Sequence, residues 1–551
     1  MQKKKIPIPL IISIAVVAVI IILAASALNG GIGGGKQMNL NTYFGLSENS
    51  EGAIVLNGEV LEEKALVENG SLYIDYYTVW DKLNSGFCWS EDEQVLCLTL
   101  QNESYEWTPT DGTDDLLLGE DGSLYLNTSL ISSCSDLELE TFEDPARVVI
   151  RTEWDGVQKG SILQDVDLHY KAGSRSDILA ELSAGDEVAI LGGEEGWQYI
   201  TTRDGMTGYV KDDVVEDAGY LEHVSDERFT YSHVMMQDQI VMVWHYIDSL
   251  ENNAYLGDMI AEVNGVNVIS PTWFNLADAD GNLISYADAS YVELAHANGM
   301  QVWGMIGDVN GGDVDTGEAL ATSSVRANII MQIMQVASSV GLDGINVDFE
   351  TITEDTAPLY IEFMKELCIA AHAQGLVVST DNYVPTYTQF YKRAELAKSV
   401  DYLVIMGYDE HTYGSSEAGS VASLPFVEQG IVDTLSEAPA EQVINAIPFY
   451  TRGWTETYGS EALESEAFGM DGADAFVEEH GITLSWDGSA GQYTGSAEDG
   501  NHLYSIWMED ESAIREKAAL IQQYGLAGIA AWRLGLERSS AWSAILETLN
   551  G

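Results

Sequence analysis

From about Tyr231 to the C-terminus, short apolar runs alternate with amphipathic stretches of helical period, which predicts parallel strands joined by helical crossovers. The expected strands are Ile240 to Trp244, Asn267 to Pro271, Gln301 to Ile306, Gly344 to Phe349, Val377 to Asp381, Tyr402 to Met406, Gln442 to Ile447 and Gly528 to Trp532. Helices fit between them, such as Val325 to Val340 before the fourth strand and Tyr360 to Gln374 after it. Eight such units imply an α/β fold, a (β/α)8 or TIM barrel over residues 231–551.

Ahead of the barrel the period shortens to two, and two small β-rich domains are expected. Over 50–151 alternating strands are punctuated by turns, and Asn69-Gly-Ser-Leu-Tyr-Ile74 is echoed by Asp121-Gly-Ser-Leu-Tyr-Leu126. Over 160–216 five short strands separated by glycines predict a small barrel. Residues 1–36 form a further segment. Lys3, Lys4 and Lys5 precede Ile6 to Gly35, a run without charge whose apolar core, Leu10 to Leu28, is long enough to cross a bilayer. Positive flanks stay inside, so the expected location is the cell membrane, single-pass, with everything downstream extracytoplasmic and a glycine-rich tether at Gly30 to Gly35. Ala25-Ser26-Ala27 keeps open the alternative of a cleaved signal and a secreted protein.

Charge narrows the partners. The 551 residues carry 24 Lys+Arg against 88 Asp+Glu, a net charge of −64, and such a surface repels phosphate backbones, so nucleic acid is excluded as a partner. Four cysteines are too few for a disulfide framework, although Cys88 and Cys97 are spaced to close a hairpin. No histidine precedes His169, and no His or Cys pair has the spacing of a zinc site, so neither a metal nor a cofactor is expected.

Reactive groups in a (β/α)8 barrel sit at the C-terminal ends of its strands, which directs attention to Gly341-Leu-Asp-Gly-Ile-Asn-Val-Asp-Phe-Glu350. Asn346, Asp348 and Glu350 alternate with Ile345, Val347 and Phe349, so the polar three share one strand face at about 6.6 Å per two residues. An ionised carboxylate in a barrel lumen has no packing rationale. Neighbouring carboxyls raise one another's proton affinity, leaving Glu350 suited to act as general acid. A calcium loop also alternates Asp and Asn, but Val347 and Phe349 between the polar positions spoil that pattern.

This segment resembles the signature of glycoside hydrolase family 18. Three other strand ends resemble the family as well: Met406-Gly-Tyr-Asp409, Pro448-Phe-Tyr-Thr-Arg452 with Trp454 beyond it, and Trp532. Asn346 stands where the family usually has aspartate, and Gly304-Met-Ile-Gly-Asp308 replaces its serine-x-glycine-glycine. The resemblance implies substrate-assisted retaining hydrolysis of a β-linked N-acetylglucosamine bond, outside the two-carboxylate schemes. Glu350 would be the acid and base, Asp348 and Tyr408 would hold the acetamido group, and Asn346 would support Asp348 from below. Trp532 would floor the sugar, Met406 would line the site, and Asp409, Tyr450 and Arg452 would meet sugar hydroxyls or orient the acid. Trp273 and Asn382 are added as substrate-binding residues from position alone.

Asn346 and Asn267-Val-Ile-Ser-Pro-Thr-Trp-Phe274 resemble the subgroup directed at peptidoglycan and spore cortex, which implies peptidoglycan as the GlcNAc-containing polysaccharide. Chitin or another GlcNAc glycan is the alternative within the enzyme class, and a non-catalytic wall-binding protein the alternative outside it. Thr455 to Tyr504 reads as loop and short strand, too short for a full α+β insertion, which implies a shallow groove. Residues 160–216 resemble a bacterial SH3 domain, whose role implies wall binding. Residues 50–151 resemble the module named after the N-terminal domain of copper amine oxidases. Without a nearby histidine that likeness implies a spacer, not copper chemistry.

Overall fold

The computed structural model describes residues 35–152, 154–309, 314–460 and 462–551. The expected membrane helix lies outside the described residues, and among those described no helix is long and apolar enough to cross a membrane. The chain divides into two compact units, residues 35–78 with Leu117–Ser225, and Val79–Leu116 with Asp226–Gly551.

The first unit holds two seven-stranded sheets. In one, Ser71–Asp75 and Leu124–Asn127 lie side by side and antiparallel, so the repeated turn-strand motif becomes a pair of neighbours, each leading into a short helix. The other sheet runs from Gln158–Ile162 to Val215–Tyr220. The two share a core in which Val55 and Val149 of one pack with Leu168, Ile200 and Val210 of the other, and Phe44 is buried among them. Two adjacent β domains were expected; sharing apolar faces removes surface that neither sheet covers alone.

The second unit is a closed parallel barrel. Its strands are β1 (Ile240–His245), β2 (Val268–Pro271), β3 (Gln301–Gly307), β4 (Gly344–Asp348), β5 (Val377–Tyr383), β6 (Tyr402–Met406), β7 (Val443–Pro448) and β8 (Gly528–Trp532). Each pairs in parallel with the next, β8 returns to β1, and β2 pairs with β3. All eight expected strands are present. Two glycines serve this closure. Gly341, at φ +83°, ends the helix Ser323–Val340 in the left-handed region and turns the chain into β4. At Gly528 a Cβ would lie 2.2 Å from the Ile240 carbonyl, so only glycine lets β8 close against β1.

Two features depart from expectation. Residues Val79–Leu116 belong to the barrel unit, not to the β-rich domain in which they fall by sequence. Their three-stranded sheet, Cys88–Ser90, Val95–Thr99 and Ser104–Trp107, is hydrogen-bonded to the barrel's outer helices. Thr99 Oγ1 donates to Glu362 Oε1 at 2.5 Å, and the Ser323 N–H and hydroxyl donate to Glu93 at 3.0 Å, which caps the start of the Ser323–Val340 helix. Cys88 and Cys97 are opposite each other in this hairpin, with buried free thiols.

The second departure lies between β7 and β8. The expected loop is a five-stranded antiparallel sheet (Tyr450–Thr457, Leu463–Gly469, Ser485–Asp487, Gln492–Asp499, His502–Trp507) with the helix Met470–His480. It is an α+β insertion with its own small core of Ala473, Phe476, Ile482, Ile506 and Met508. So few apolar residues suffice because the sheet is covered on one face by a single short helix; the other face is polar and carries a concavity of ≈ 820 Å³.

Candidate active site

β4 places the signature as its alternation predicts. Ile345 and Val347 are fully buried on the helix side, where the next apolar residue, Phe349, stacks on Phe363 of the helix Ala357–His372. Asn346 points into the barrel and reaches three other strands. Its Oδ1 accepts from the Trp244 indole N–H (2.9 Å, β1) and the Ser270 hydroxyl (3.2 Å, β2), while its Nδ2 donates to Ser379 Oγ (3.0 Å) and Asp381 Oδ1 (2.8 Å) on β5. Both N–H donors are thereby used, neither on Asp348. The expected support of Asp348 by Asn346 is corrected accordingly: Asn346 holds Asp381 instead.

Asp348 is buried, and its Oδ1 accepts no hydrogen bond from the protein. Burial first, and then the charges of Asp381, Glu350 and Asp308, push its carboxyl well above the usual range. Asp381 is displaced in the same direction, mainly by burial, against the favourable Asn346 contact. Glu350 follows the strand, and its backbone N–H donates to Asp308 Oδ1 at 2.9 Å. Asp308, from the end of β3, also accepts from Thr316 and from the Thr351 N–H and hydroxyl, so one buried carboxylate fixes the turn that aims Glu350. The Tyr383 hydroxyl donates to Glu350 Oε2. Burial raises the Glu350 carboxyl, Tyr383 offsets part of this, and Asp308 and Asp409 raise it further.

Around this centre, Tyr408 and Met406 are almost buried and Trp532 is half-buried, its ring 5.9 Å from that of Trp244. Burial, with Tyr450, Asp348 and Asp381 adding to it, keeps the Tyr408 hydroxyl protonated, a neutral donor. To one side the Tyr450 hydroxyl donates to Asp409, and these two, with Arg452 and Trp532, line a cavity of ≈ 340 Å³. Asp409 has φ 62°, an uncommon conformation for a side-chain-bearing residue.

Two expected substrate residues are not at the surface. Trp273 is 0% exposed, donates to Asn253 Oδ1 at 2.8 Å and packs edge-on against Tyr291, so it has no face for a sugar. Asn382 is 1% exposed and out of phase with the lumen-facing Ser379, Asp381 and Tyr383; its Nδ2 donates to the Asp381 carbonyl. Asp381, Tyr383, Asp308 and Trp244 were missed. Asp381 already ends the strand read from the sequence, and drawing that strand two residues longer would have exposed Tyr383, which shares its parity. His245 is also buried here, hydrogen-bonded to Tyr291 and lowered to about 4 by burial and by Arg533, hence neutral. Among the described residues no group of three or more His, Cys, Asp or Glu is arranged to hold a metal ion.

The profile of the glycosyl hydrolases family 18 matches residues 242–537, and that of the bacterial SH3 domain matches residues 165–216. The chain is 24% identical over 281 residues to the uncharacterized glycosylase YvbX of Bacillus subtilis, a match spanning 49% of this chain and 80% of that protein. It is 26% identical over 243 residues to the cortical fragment-lytic enzyme of Bacillus subtilis, covering 42% of this chain and 55% of the relative, about half its length. The chitinase structure from Chromobacterium violaceum superposes with a TM-score of 0.51 at 22% identity, covering 57% of this chain and 100% of that one, a likeness of fold.

Proposed function

This chain belongs to the glycosyl hydrolases family 18, and from that premise we propose that it cleaves β-linked N-acetylglucosamine bonds in peptidoglycan outside the cell by substrate-assisted retaining catalysis. As a member it is a glycoside hydrolase with a chitinase-like barrel, related to glycosylases and a cortical fragment-lytic enzyme. The observation that carries the mechanism is Asp348 Oδ1, a buried acceptor without a donor beside a raised Glu350. A 2-acetamido N–H is the donor it suits. Glu350 protonates the leaving glycosidic oxygen while the sugar's acetamido oxygen attacks its anomeric carbon, giving an oxazolinium ion. Asp348 balances the positive charge and Tyr408 donates to the acetamido oxygen. Glu350 then takes a proton from the water that opens the ring, returning to its acid form. Trp532 floors the sugar, and Asp409, Tyr450 and Arg452 take its hydroxyls along the adjoining cavity.

Peptidoglycan is favoured over chitin by the cortical fragment-lytic relative and by the SH3 domain, which suits a wall-binding module. The β-rich segment that resembles a copper amine oxidase N-terminal domain serves as a spacer. The uncharged run after Lys3 to Lys5 anchors the chain in the membrane or directs its export. The α+β insertion gives the groove a wall and removes the argument from a shallow cleft. The test incubates the protein with vegetative peptidoglycan, spore cortex and chitin and identifies the fragments by mass. Muropeptides ending in reducing N-acetylglucosamine are expected; release from chitin alone would overturn the substrate.

Tyr383 tunes the acid. Its hydroxyl stabilises the ionised form of Glu350, so Tyr383→Phe raises the Glu350 pKa further. A hydrogen bond to a charged group contributes about 1.5–3 kcal/mol, so the alkaline limb of kcat/KM moves up by about one unit or more. An unmoved limb would show that the contact does not act on the acid.

A further inference from the structure

We propose that the cavity beside the catalytic centre binds a carboxylate on the sugar next to the one floored by Trp532, and that Arg533 is the residue selecting it. The inference deepens the peptidoglycan reading and rests on it. Peptidoglycan alternates N-acetylglucosamine with muramic acid, whose lactyl ether ends in a carboxylate or in an acidic peptide, whereas chitin is neutral throughout.

The placement of cations points to this cavity. Among the described residues, every lysine and arginine of the barrel unit other than Arg452 and Arg533 lies within ion-pair distance of an Asp or Glu, the longest such contact being Arg393 to Glu437 at 3.9 Å. Those two line the same recess of ≈ 340 Å³, together with Asp409, Tyr450 and Trp532. In a chain of net charge −64, where carboxylates are abundant, two unpaired guanidinium groups in one recess make a local positive site. The recess begins at the sugar floor itself, because Trp532 lines both.

Both guanidinium groups are held without being satisfied. Arg452 Nη1 donates to Ser465 Oγ at 3.1 Å, and its Nε is buried without an acceptor. Arg533 lies over the Tyr246 ring, its Cζ 5.2 Å from the centroid, and its side chain makes no hydrogen bond or ion pair among the described residues. Attraction to the ring face positions the group and leaves its N–H fork for a planar acceptor, the geometry of a bidentate carboxylate. Burial depresses the Arg533 pKa, with Tyr246 and Glu537 opposing, as befits a partly desolvated cation that no carboxylate touches. The nearby acids are engaged elsewhere. Glu537 accepts from the Gly535 N–H at 2.7 Å and the Trp542 indole N–H at 3.2 Å, and Asp409, the one acid in the lining, accepts from Tyr450. A carboxylate entering with the substrate completes the fork, and a neutral sugar in its place leaves a half-buried cation unpaired, so the recess discriminates between the two.

The test measures kcat/KM on substrates paired to differ only in charge. One pair is a tetrasaccharide of alternating N-acetylglucosamine and N-acetylmuramic acid against its lactyl methylamide; the other is a peptide-bearing fragment against the same fragment with its peptide carboxylates amidated. Chitotetraose is the neutral reference. Wild type is expected to favour the carboxylate member of at least one pair about tenfold or more, mainly through KM, which is the scale of hydrogen bonds to a charged group. Arg533→Gln brings that ratio to within about twofold of unity, while Arg533→Lys, which keeps the charge but loses the fork, retains only part of it. The ratio rather than the rate is the readout, so a general loss of activity does not imitate the result. A preference in the first pair alone assigns the recess to the lactyl carboxylate, and one in the second pair alone to the stem peptide. A wild type that cuts both members of each pair equally well, or a ratio unchanged in Arg533→Gln, overturns the proposal and leaves the peptidoglycan reading standing. If Arg533→Gln does not fold, Arg533→Lys decides, and a ratio equal to wild type overturns it. Cleavage of chitotetraose alone removes the peptidoglycan reading, and this proposal with it.

Discussion

Glu350→Gln abolishes most of the hydrolytic rate, a fall in kcat of about a hundred- to ten-thousand-fold, while the protein still sediments with its glycan. The size follows from the two jobs that one carboxyl performs, since an amide neither gives a proton to the leaving oxygen nor takes one from water. The fold should survive. The substitution is isosteric, the Glu350 N–H remains bound to Asp308, and a glutamine oxygen still accepts from Tyr383. The pH profile identifies the acid independently. Burial, opposed by Tyr383 and reinforced by Asp308 and Asp409, keeps Glu350 protonated above the ordinary range of a glutamate. Wild-type kcat/KM therefore falls as pH rises through that elevated pKa, and this limb is missing from whatever activity Glu350→Gln retains. A variant that keeps near-wild-type kcat would transfer the acid role to another group, with Asp409 the nearest alternative in chemistry.

What was legible in the sequence was local and periodic. The alternation from Ile345 to Glu350 fixed both the strand and its lumen-facing side chains, because a period of two needs no tertiary information. The eight barrel strands were readable for the same reason, as apolar runs bounded by turns. What failed depended on strand ends and on packing. Ending β5 at Asp381 rather than Tyr383 hid the donor to Glu350 and left Asn382, of the wrong parity, as the apparent candidate. Trp273 and Trp532 both sit at strand ends, and the sequence does not say which packs beneath Tyr291 and which lines a cavity. The Val79–Leu116 segment joins the barrel through Glu93 and Thr99, contacts made across more than 200 positions that no local pattern reports.

The α+β insertion was hidden because polar contacts, as much as apolar ones, tie it to the barrel, and one of them predicts the largest loss of stability. Lys517, on the helix Glu511–Tyr524, donates to both oxygens of Glu509 at 2.8 and 2.7 Å, and both side chains are 1% exposed. Gln492 of the insertion donates to the same carboxylate at 2.6 Å and accepts from Ser420, in the loop beyond β6. Three parts of the unit therefore meet at one charge. Lys517→Met leaves that carboxylate buried without its cation, which costs about 3–5 kcal/mol, or about 10 °C in the unfolding midpoint of a domain this size. The loss depends on pH with a definite sign. Burial raises Glu509 from 4.5 to about 7 even with Lys517 opposing it, so its ionisation becomes a growing penalty as pH rises between those values. Without the lysine its pKa climbs further and the penalty continues to grow above pH 7. The deficit of Lys517→Met is thus greatest at alkaline pH and shrinks towards pH 5, where the carboxyl enters the fold protonated. Adding Glu509→Gln to the same variant removes the charge but keeps a partner for Gln492, and should recover most of the stability. Thermal melts of the three proteins across pH decide it: a single variant with a pH-independent deficit, or a double variant no better, would place the loss in packing of the lysine stem and not in the stranded carboxylate.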